Sequence, residues 1–539
     1  MKRIGIRPSK WADRKLVASV HWDAFRSEPK AYLTAFWWRL CRKRLRSHHQ
    51  FSSLFGRMPN AYRLWLLRDG AVHGKESEDI ACPPIIVLID VREGEEKLDD
   101  TLRSLTSEAM TVLLVGGADL QTPGAVAKAI DWSEGPWLLP LAVGDSLAHG
   151  AIGAYRAAIA ASDTETALIY ADDDLADEKG RWHVPHFKPD WNSELFRHFD
   201  YLSGACILRA SPEDLEACSL SPGWESRLTH RLAGKGRPFH LSRILHHRLV
   251  RPQPRLPAVP EIAERDLPLV SIIVPTRNRV DLLRTCIEGI AATDYPDIEV
   301  IIADNDSDDP ETLTYLEGLD PTRHRVLRHA GAFNFSAINN RAAKEARGHL
   351  LCLLNNDIEV IAPDWLRIMA VQAQREDVGA VGAQLLYPDG RLQHAGVTIG
   401  MGNAAGHSHR LLRPEEEGYF HRHSVPQFTM AVTAACLVVK RERFFAVDGL
   451  DEGNFAVAFN DVDLCLRLNQ RGWQSFYESR ARLIHHESVS RGLDRDPVGA
   501  ARFAKELAAL QKLWRTDEVT DPFHHSLLSR TSEQYVLRL

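Results

Sequence analysis

Leu350-Leu-Cys-Leu-Leu-Asn-Asn-Asp-Ile-Glu-Val360 is the stretch whose reading decides the fold. The unbroken apolar run from Leu350 to Leu354, with Cys352 inside it, predicts a strand buried on both faces, as in a parallel sheet. Asn355, Asn356 and Asp357 follow at its carboxyl end, the edge where open α/β sheets receive ligands. A carboxylate there can hold a divalent cation against phosphates. Asn and Asp are also ordinary turn residues, so the stretch alone leaves both readings standing.

Its surroundings supply the pattern. Upstream, Val270 to Thr276 and Ile298 to Ala303 read as strands, with a helix over 281–291 between them and another over 335–346 before the opening stretch. The same order occurs earlier in the chain, with strands at Ile85–Ile89, Thr111–Val115 and Ala167–Ala171. Tyr201 to Leu208 matches Ala431 to Val439, Trp224 to Leu232 matches Asn460 to Leu468, and Ile244–His247 matches Leu483–His486. Two copies of one α/β unit is the economical reading, and strands alternating with helices imply mostly parallel sheets flanked by helices. The expected division is a basic, Trp-rich helical extension over 1–80, a first unit over 81–250, a linker over 251–266, a second unit over 267–495, and a terminal helix and tail over 496–539. The linker follows from four prolines between Val250 and Arg265.

A chain of 539 residues, 44% hydrophobic and 26% charged, has the make-up of a globular protein of several domains. Its eight cysteines form no C-x-x-C pair and read as reduced thiols rather than zinc ligands or disulfides. No apolar run approaches the roughly 18 residues that span a bilayer, and no secretory signal is evident, so a cytoplasmic location is expected. Residues 1–75 hold seventeen Lys/Arg against four Asp/Glu. Within them, Ala31 to Arg46 reads as one helix with an aromatic half and a basic half, a pattern that can lie at the inner face of an anionic membrane. Docking on the body of the protein with the arginines in water is the simpler alternative. No nucleic-acid motif accompanies the charge, so nucleic acid is not an expected partner.

Several residues in the second unit carry chemistry. Pro275, Thr276 and Arg277 close a buried strand, where backbone groups face a ligand. Asp304 opens the acidic run Asp304-Asn-Asp-Ser-Asp-Asp309, suited to a ribose or base at the crevice, or to a solvated turn. Asn334 and Asn340 flank a helix start that suits phosphate or sugar contacts. Asp461 sits in the first turn of a helix, where an N-cap is the bland role and a general base facing the metal strand the sharper one. His485 ends an apolar stretch and becomes a metal partner only if it meets Asp357.

Taken together, Ser271-Ile-Ile-Val-Pro-Thr276, Asp304-Asn-Asp-Ser307, Leu354-Asn-Asn-Asp-Ile-Glu-Val360, Leu386-Tyr-Pro-Asp-Gly390, Gln393-His-Ala-Gly396, Ala431-Val-Thr-Ala-Ala-Cys436, Phe459-Asn-Asp-Val-Asp463 and His485-His-Glu-Ser-Val-Ser-Arg-Gly492 resemble the inverting family-2 glycosyltransferases of the GT-A fold. The branch they resemble builds O-antigen and related cell-surface polysaccharides. The resemblance implies two tandem GT-A-like units, a nucleotide diphosphate-sugar donor, a glycan or lipid-linked glycan acceptor, and Mg²⁺ or Mn²⁺ as cofactor. It assigns Asp304 to the nucleotide, Asp357 and His485 to the metal, and Asp461 to the base. It also places Pro275, Thr276, Arg277, Asn334, Asn340, Asn355, Asn356, His394 and Arg491 at the substrates. Asn355 stands where many members carry a first Asp, and Asn460 where many carry Glu.

The first unit resembles the fold more loosely. Asp172-Asp-Asp174 reads as its metal motif, but Glu225 replaces the base and Arg227 replaces Asp463, so an inactive or acceptor-binding role is expected. Two rival functions differ in class: a nucleotidyltransferase, which lacks support because no Gly-rich phosphate loop follows Val274, and a glycan-binding scaffold without turnover.

Overall fold

A computed structural model of the chain describes residues 10–68, 81–92, 94–105, 110–218, 223–256, 258, 266–486 and 497–539. Half of the expected linker, residues 257 and 259–265, and Arg491 lie outside the described residues.

Two α/β units follow one another, each built on one sheet. In the second, the strands lie in the order His324–Arg328, Ile298–Asp304, Val270–Thr276, Leu350–Leu354, Cys436–Lys440, Val378–Leu386, Gln474–His485 and Ile358–Val360. The first runs Thr111–Val115, Ile85–Asp90, Trp137–Ala142, Cys206–Leu208, Leu168–Ala176, Phe239–Arg248 and Ser146–Leu147. Apart from the outermost strand of the second sheet, the two orders correspond strand for strand. The strands that end at the site are parallel, and the sheet becomes mixed where Cys436–Lys440 runs against both neighbours.

The opening stretch does form a central strand. Leu350, Cys352 and Leu354 point into one apolar cluster with Val270, Ile272 and Val274, while Leu351 and Leu353 point into the opposite one with Ile273. All five are buried, and each Leu placed there contributes about 1.5–3 kcal/mol of transfer free energy. Burial on both faces is why the run carries no polar alternation.

The basic N-terminal segment differs from the single helix expected over Ala31–Arg46. Helices Pro29–Leu40 and Arg44–Phe55 are separated by a break at which Arg42 takes φ +59°. Buried Ser47 bonds the carbonyl of Ala35 at 2.8 Å and folds the second helix back on the first. The C-terminal helix Pro497–Trp514 forms where expected. The tail after it then crosses both units: Asp521 accepts from the amide of Ile399, and His525 reaches Asp172. Leu528, Tyr535 and Leu537 finish in an apolar cluster with the N-terminal helices.

Candidate active site

The parallel pairing of Val270–Thr276 with Leu350–Leu354 brings their carboxyl ends side by side. Asn356 Nδ2 donates to Thr276 Oγ1 at 3.0 Å, and the amide of Asn355 donates to the carbonyl of Ala435 at 3.0 Å. These bonds fix the turn that presents Asp357. Beyond it, Ile358 pairs with His485, and the amide of His486 donates to the Asp357 carbonyl at 3.0 Å. Two segments more than a hundred residues apart are thereby held in register.

That register places His485 Nε2 3.1 Å from Asp357 Oδ1. His485 Nδ1 lies 2.7 Å from Gln393 Oε1. An amide oxygen only accepts, so Nδ1 carries the proton and the neutral ring turns the Nε2 lone pair toward the carboxylate. Two acceptors facing each other at that distance require positive charge, either a proton on Nε2 or a cation. One carboxylate and one imidazole nitrogen, the latter oriented by an amide, form a donor set that fits a divalent metal. Asn355 Nδ2, 3.4 Å from the same Nε2, supplies no charge.

Asp461 comes from a separate segment, the start of a helix. Its helix, Asn460–Gln470, starts after Phe459 in a left-handed conformation, φ +60°. Asp461 Oδ2 accepts from the amide of Ala434 at 3.0 Å and Oδ1 from the amide of Val462 at 2.8 Å. Ala434 lies two residues before the strand paired to Leu350–Leu354, so the carboxylate is clamped beside the strand that ends at Asp357. The loop before the helix is fixed by Glu506 of the C-terminal helix, which accepts from the amides of Val457 and Ala458 at 3.0 and 2.9 Å.

These groups share one cavity of about 730 Å³, lined by Pro275, Thr276, Arg277, Asn278, Asn355, Asn356, Asp357, Gln393, His407, Asp461 and His485 among others. Other expected site residues lie outside this lining. Asp304 is fully buried, bonded to Ser307 and paired with Arg328 at 2.5 Å, so it braces the loop behind the cavity. Asn334 caps its helix through the amide of Ala337, and Asn340 bonds Leu450 and Glu452. His394 sits behind Gln393, bonded to His407 at 2.9 Å, and burial keeps its pKa well below the ordinary value. Arg491 lies outside the described residues.

Sequence reasoning passed over Gln393, Asn278 and Glu506. Gln393 lay inside a quoted motif, next to the histidine given the role. Asn278, at φ +54°, accepts from the amides of Asp308 and Asp309 at 3.0 Å each and so staples the two rim loops. Glu506 had no local signal.

The first unit requires a correction. Asp172-Asp-Asp174 lies on Leu168–Ala176, which corresponds to Val378–Leu386 and not to Leu350–Leu354. The strand in the place of Leu350–Leu354 is Trp137–Ala142, and the acid that follows it is Asp145. Asp145 accepts from the amide of Leu249 at 2.9 Å, with Arg248 at 3.7 Å, and burial pushes its pKa up to about 6. The acidic triplet is consumed by internal partners. Asp173 pairs with Lys188 at 2.8 Å and with Arg251; burial would raise its pKa, but these cations hold it well below the usual range. Asp174 accepts from Tyr62 and meets His247, both at 2.6 Å. Asp172, His240 and His525 bring donor atoms within 4.8 Å of one another. However, His525 Nδ1 accepts from the amide of Leu527 at 3.0 Å, which leaves the proton on the Nε2 that faces Asp172. That neutral tautomer withholds the lone pair a metal would need, and Asp172 is left to pair with His240 at 3.0 Å.

Residues 271–435 match the family model described as glycosyl transferase family 2. The second unit thus carries a family 2 glycosyltransferase domain. The "Uncharacterized protein y4gI" of Sinorhizobium fredii (strain NBRC 101917 / NGR234) is 38% identical over 420 residues, 69% of this chain and 46% of that one. "O-antigen biosynthesis protein RfbC" of Myxococcus xanthus is 34% identical over 454 residues, 76% of this chain and 36% of that one. The chain therefore spans less than half the length of these two curated relatives. Among solved structures, a Pyrobaculum calidifontis mannosyltransferase in complex with GDP-Man and Mn²⁺ overlays with a TM-score of 0.36 at 18% identity, covering 49% of this chain and 68% of that one. No helix among the described residues is long and apolar enough to cross a membrane.

Proposed function

We propose that the second unit is an inverting, metal-dependent glycosyltransferase that moves a sugar from a nucleotide diphosphate donor to a hydroxyl of a growing cell-surface glycan. The observation that carries this reading is the convergence of the Asp357–His485 pair and Asp461 on one cavity, of which Asp357 lies within the family 2 stretch and Asp461 and His485 follow it in the chain. Asp357 and His485 would hold Mg²⁺ or Mn²⁺, which when bound supplies charge neutralisation for a diphosphate leaving group. The amides and side chains of Thr276, Arg277 and Asn356 line the same edge and suit the donor's nucleotide and phosphates. Asp461 takes the proton from the acceptor hydroxyl as that oxygen attacks the anomeric carbon from the face opposite the departing diphosphate. Its two backbone bonds hold the carboxylate in one direction, and the loop fixed by Glu506 holds the helix that carries it. Attack opposite the leaving group inverts the anomeric centre.

The first unit serves as a non-catalytic partner in this reading, because Asp145 is closed off by Arg248 and Leu249 and the acidic triplet is internally paired. O-antigen synthesis is the setting that the name of the Myxococcus xanthus relative supports, and a lipid-linked acceptor met on the cytoplasmic side is part of the same proposal. The test is a screen of the purified chain for Mn²⁺-dependent binding of UDP-, GDP- and dTDP-sugars, followed by transfer with the donor that binds. Donor binding without transfer or hydrolysis for any acceptor would favour the scaffold reading. Pyrophosphorolysis of the donor would favour the nucleotidyltransferase.

A further inference from the structure

Helix Pro29–Leu40 is amphipathic in the reverse of the usual sense. Its inner side, with Ala35 fully buried and Ala31 and Tyr32 packed on the N-terminal cluster, is small and already satisfied. Its outer side carries Leu33, Phe36, Trp37 and Leu40, which are 55%, 47%, 63% and 63% exposed. Their spacing of i, i+3, i+4 and i+7 makes them one continuous stripe along the helix. Leu45, at 70% exposure on the next helix, extends the apolar area past the break.

Cations border this stripe. Between Pro29 and Arg68 the chain has nine Lys/Arg and no Asp/Glu. Lys30, Arg39, Arg42, Lys43, Arg44 and Arg46 are all exposed and, among the described residues, none is ion-paired to a carboxylate. The platform is braced rather than loose: Ser47 ties the two helices together, and His21 Nδ1 lies 2.9 Å from Tyr32 Oη beneath them.

We propose that this face docks on the surface of an anionic phospholipid bilayer, with Leu33, Phe36, Trp37 and Leu40 at the level of the acyl–headgroup boundary and the surrounding guanidinium and ammonium groups on lipid phosphates. The chemistry selects this occupant over two others. A second copy meeting the same face across a two-fold axis would set these six unpaired cations against six. A nucleic acid would satisfy the cations but leave the leucines of the stripe in water, because aliphatic side chains offer no ring for a base to stack on. A bilayer with anionic headgroups satisfies both halves at once. This inference goes beyond the transferase reading and needs no donor or acceptor to be known.

The test is co-sedimentation of the full chain with vesicles of phosphatidylglycerol and phosphatidylcholine, against vesicles of phosphatidylcholine alone, in low and in high salt. Binding is expected to the anionic vesicles and to weaken as salt rises. The triple variant Leu33→Gln, Trp37→Gln, Leu40→Gln should bind at least tenfold more weakly at either salt. The triple variant Lys43→Gln, Arg44→Gln, Arg46→Gln should lose about fivefold per charge at low salt and show a flatter salt dependence. Every substituted side chain is solvent-exposed, so thermal melting should be unchanged and will show that both variants are folded. Absence of binding to anionic vesicles, or binding that either folded variant leaves unchanged, overturns the proposal. So does binding of polyuridine RNA under conditions that leave the vesicles unbound, or dimerisation of the chain that the Leu33/Trp37/Leu40 variant abolishes.

Discussion

Replacing Gln393 by Met tests the proposed metal centre through a residue that need touch neither metal nor sugar. Gln393 Oε1 accepts from His485 Nδ1 at 2.7 Å, with both side chains buried. Met keeps length and volume but offers no comparable acceptor. The Nδ1–H then loses its partner, at a cost of about 1–3 kcal/mol for an unsatisfied buried donor. The ring escapes that cost by moving its proton to Nε2, which then donates to Asp357 at the 3.1 Å already present. In that tautomer the lone pair directed at the metal position is gone. Loss of such an orienting partner typically weakens metal affinity 10–100-fold, or about 1.4–2.7 kcal/mol.

The assay is transfer or donor hydrolysis as a function of Mn²⁺ concentration. Gln393→Met should raise the half-activating concentration 10–100-fold, while kcat at saturating Mn²⁺ returns to within a few-fold of wild type. Gln393→Glu restores an acceptor for Nδ1–H and should restore metal affinity. The reasoning is refuted if a folded Gln393→Met protein shows an unchanged half-activating concentration, or if Glu and Met behave alike.

Further outcomes follow from the same contacts. Asp461→Asn should lower kcat by about 10²–10⁴-fold with metal-dependent donor binding unchanged by calorimetry, whereas Glu225→Gln and Asp145→Asn in the first unit should leave kcat within about twofold, since neither group is assigned a part in the reaction. Asp173→Ala should cost about 3–5 kcal/mol in urea unfolding, because it strands buried Lys188 and Arg251 without their carboxylate. Burial pushes Asp145 and Asp521 each up to about 6, above the ordinary carboxyl value, so the stability they contribute is fully present below about pH 4 and is lost as pH rises through 6. Tm measured across that window should therefore fall less in Asp145→Asn than in wild type.

Much of this architecture was legible in the residues. The run Leu350–Leu354 is apolar on both faces because both faces are covered, and that signal survives without any knowledge of partners. Asp461 was legible as an acid at a helix start for the same local reason. What escaped depends on strand order. Asp172-Asp-Asp174 follows an apolar run as Asp357 does, but its strand lies two places along the sheet from the one that corresponds to Leu350–Leu354. Only pairing reveals that Asp145, a lone acid after Val143-Gly144, holds the equivalent position. The helix break at Arg42 escaped because its cause is tertiary, a bond from Ser47 back to Ala35. Glu506 escaped because its partners, Val457 and Ala458, are nearly fifty residues away and are backbone amides that no side-chain pattern records.

The two units share a strand order, so what separates them is the countercharge each acid finds at the end of the corresponding strand. Asp145 meets a backbone amide and a permanently charged guanidinium; a cation arriving there would have to displace Arg248, which is itself buried against Asp173 at 3.8 Å. Asp357 meets an imidazole whose other nitrogen is engaged by Gln393, so the group opposite it can be neutral and can present a lone pair. A guanidinium never offers an acceptor and an imidazole does. The same backbone therefore yields a closed ion pair in one unit and, in our reading, an open metal position in the other. This also explains why the longer acidic run misleads: Asp172, Asp173 and Asp174 are numerous because they answer His240, Lys188, Arg251 and His247, whereas Asp357 stands beside asparagines, which bring no countercharge of their own.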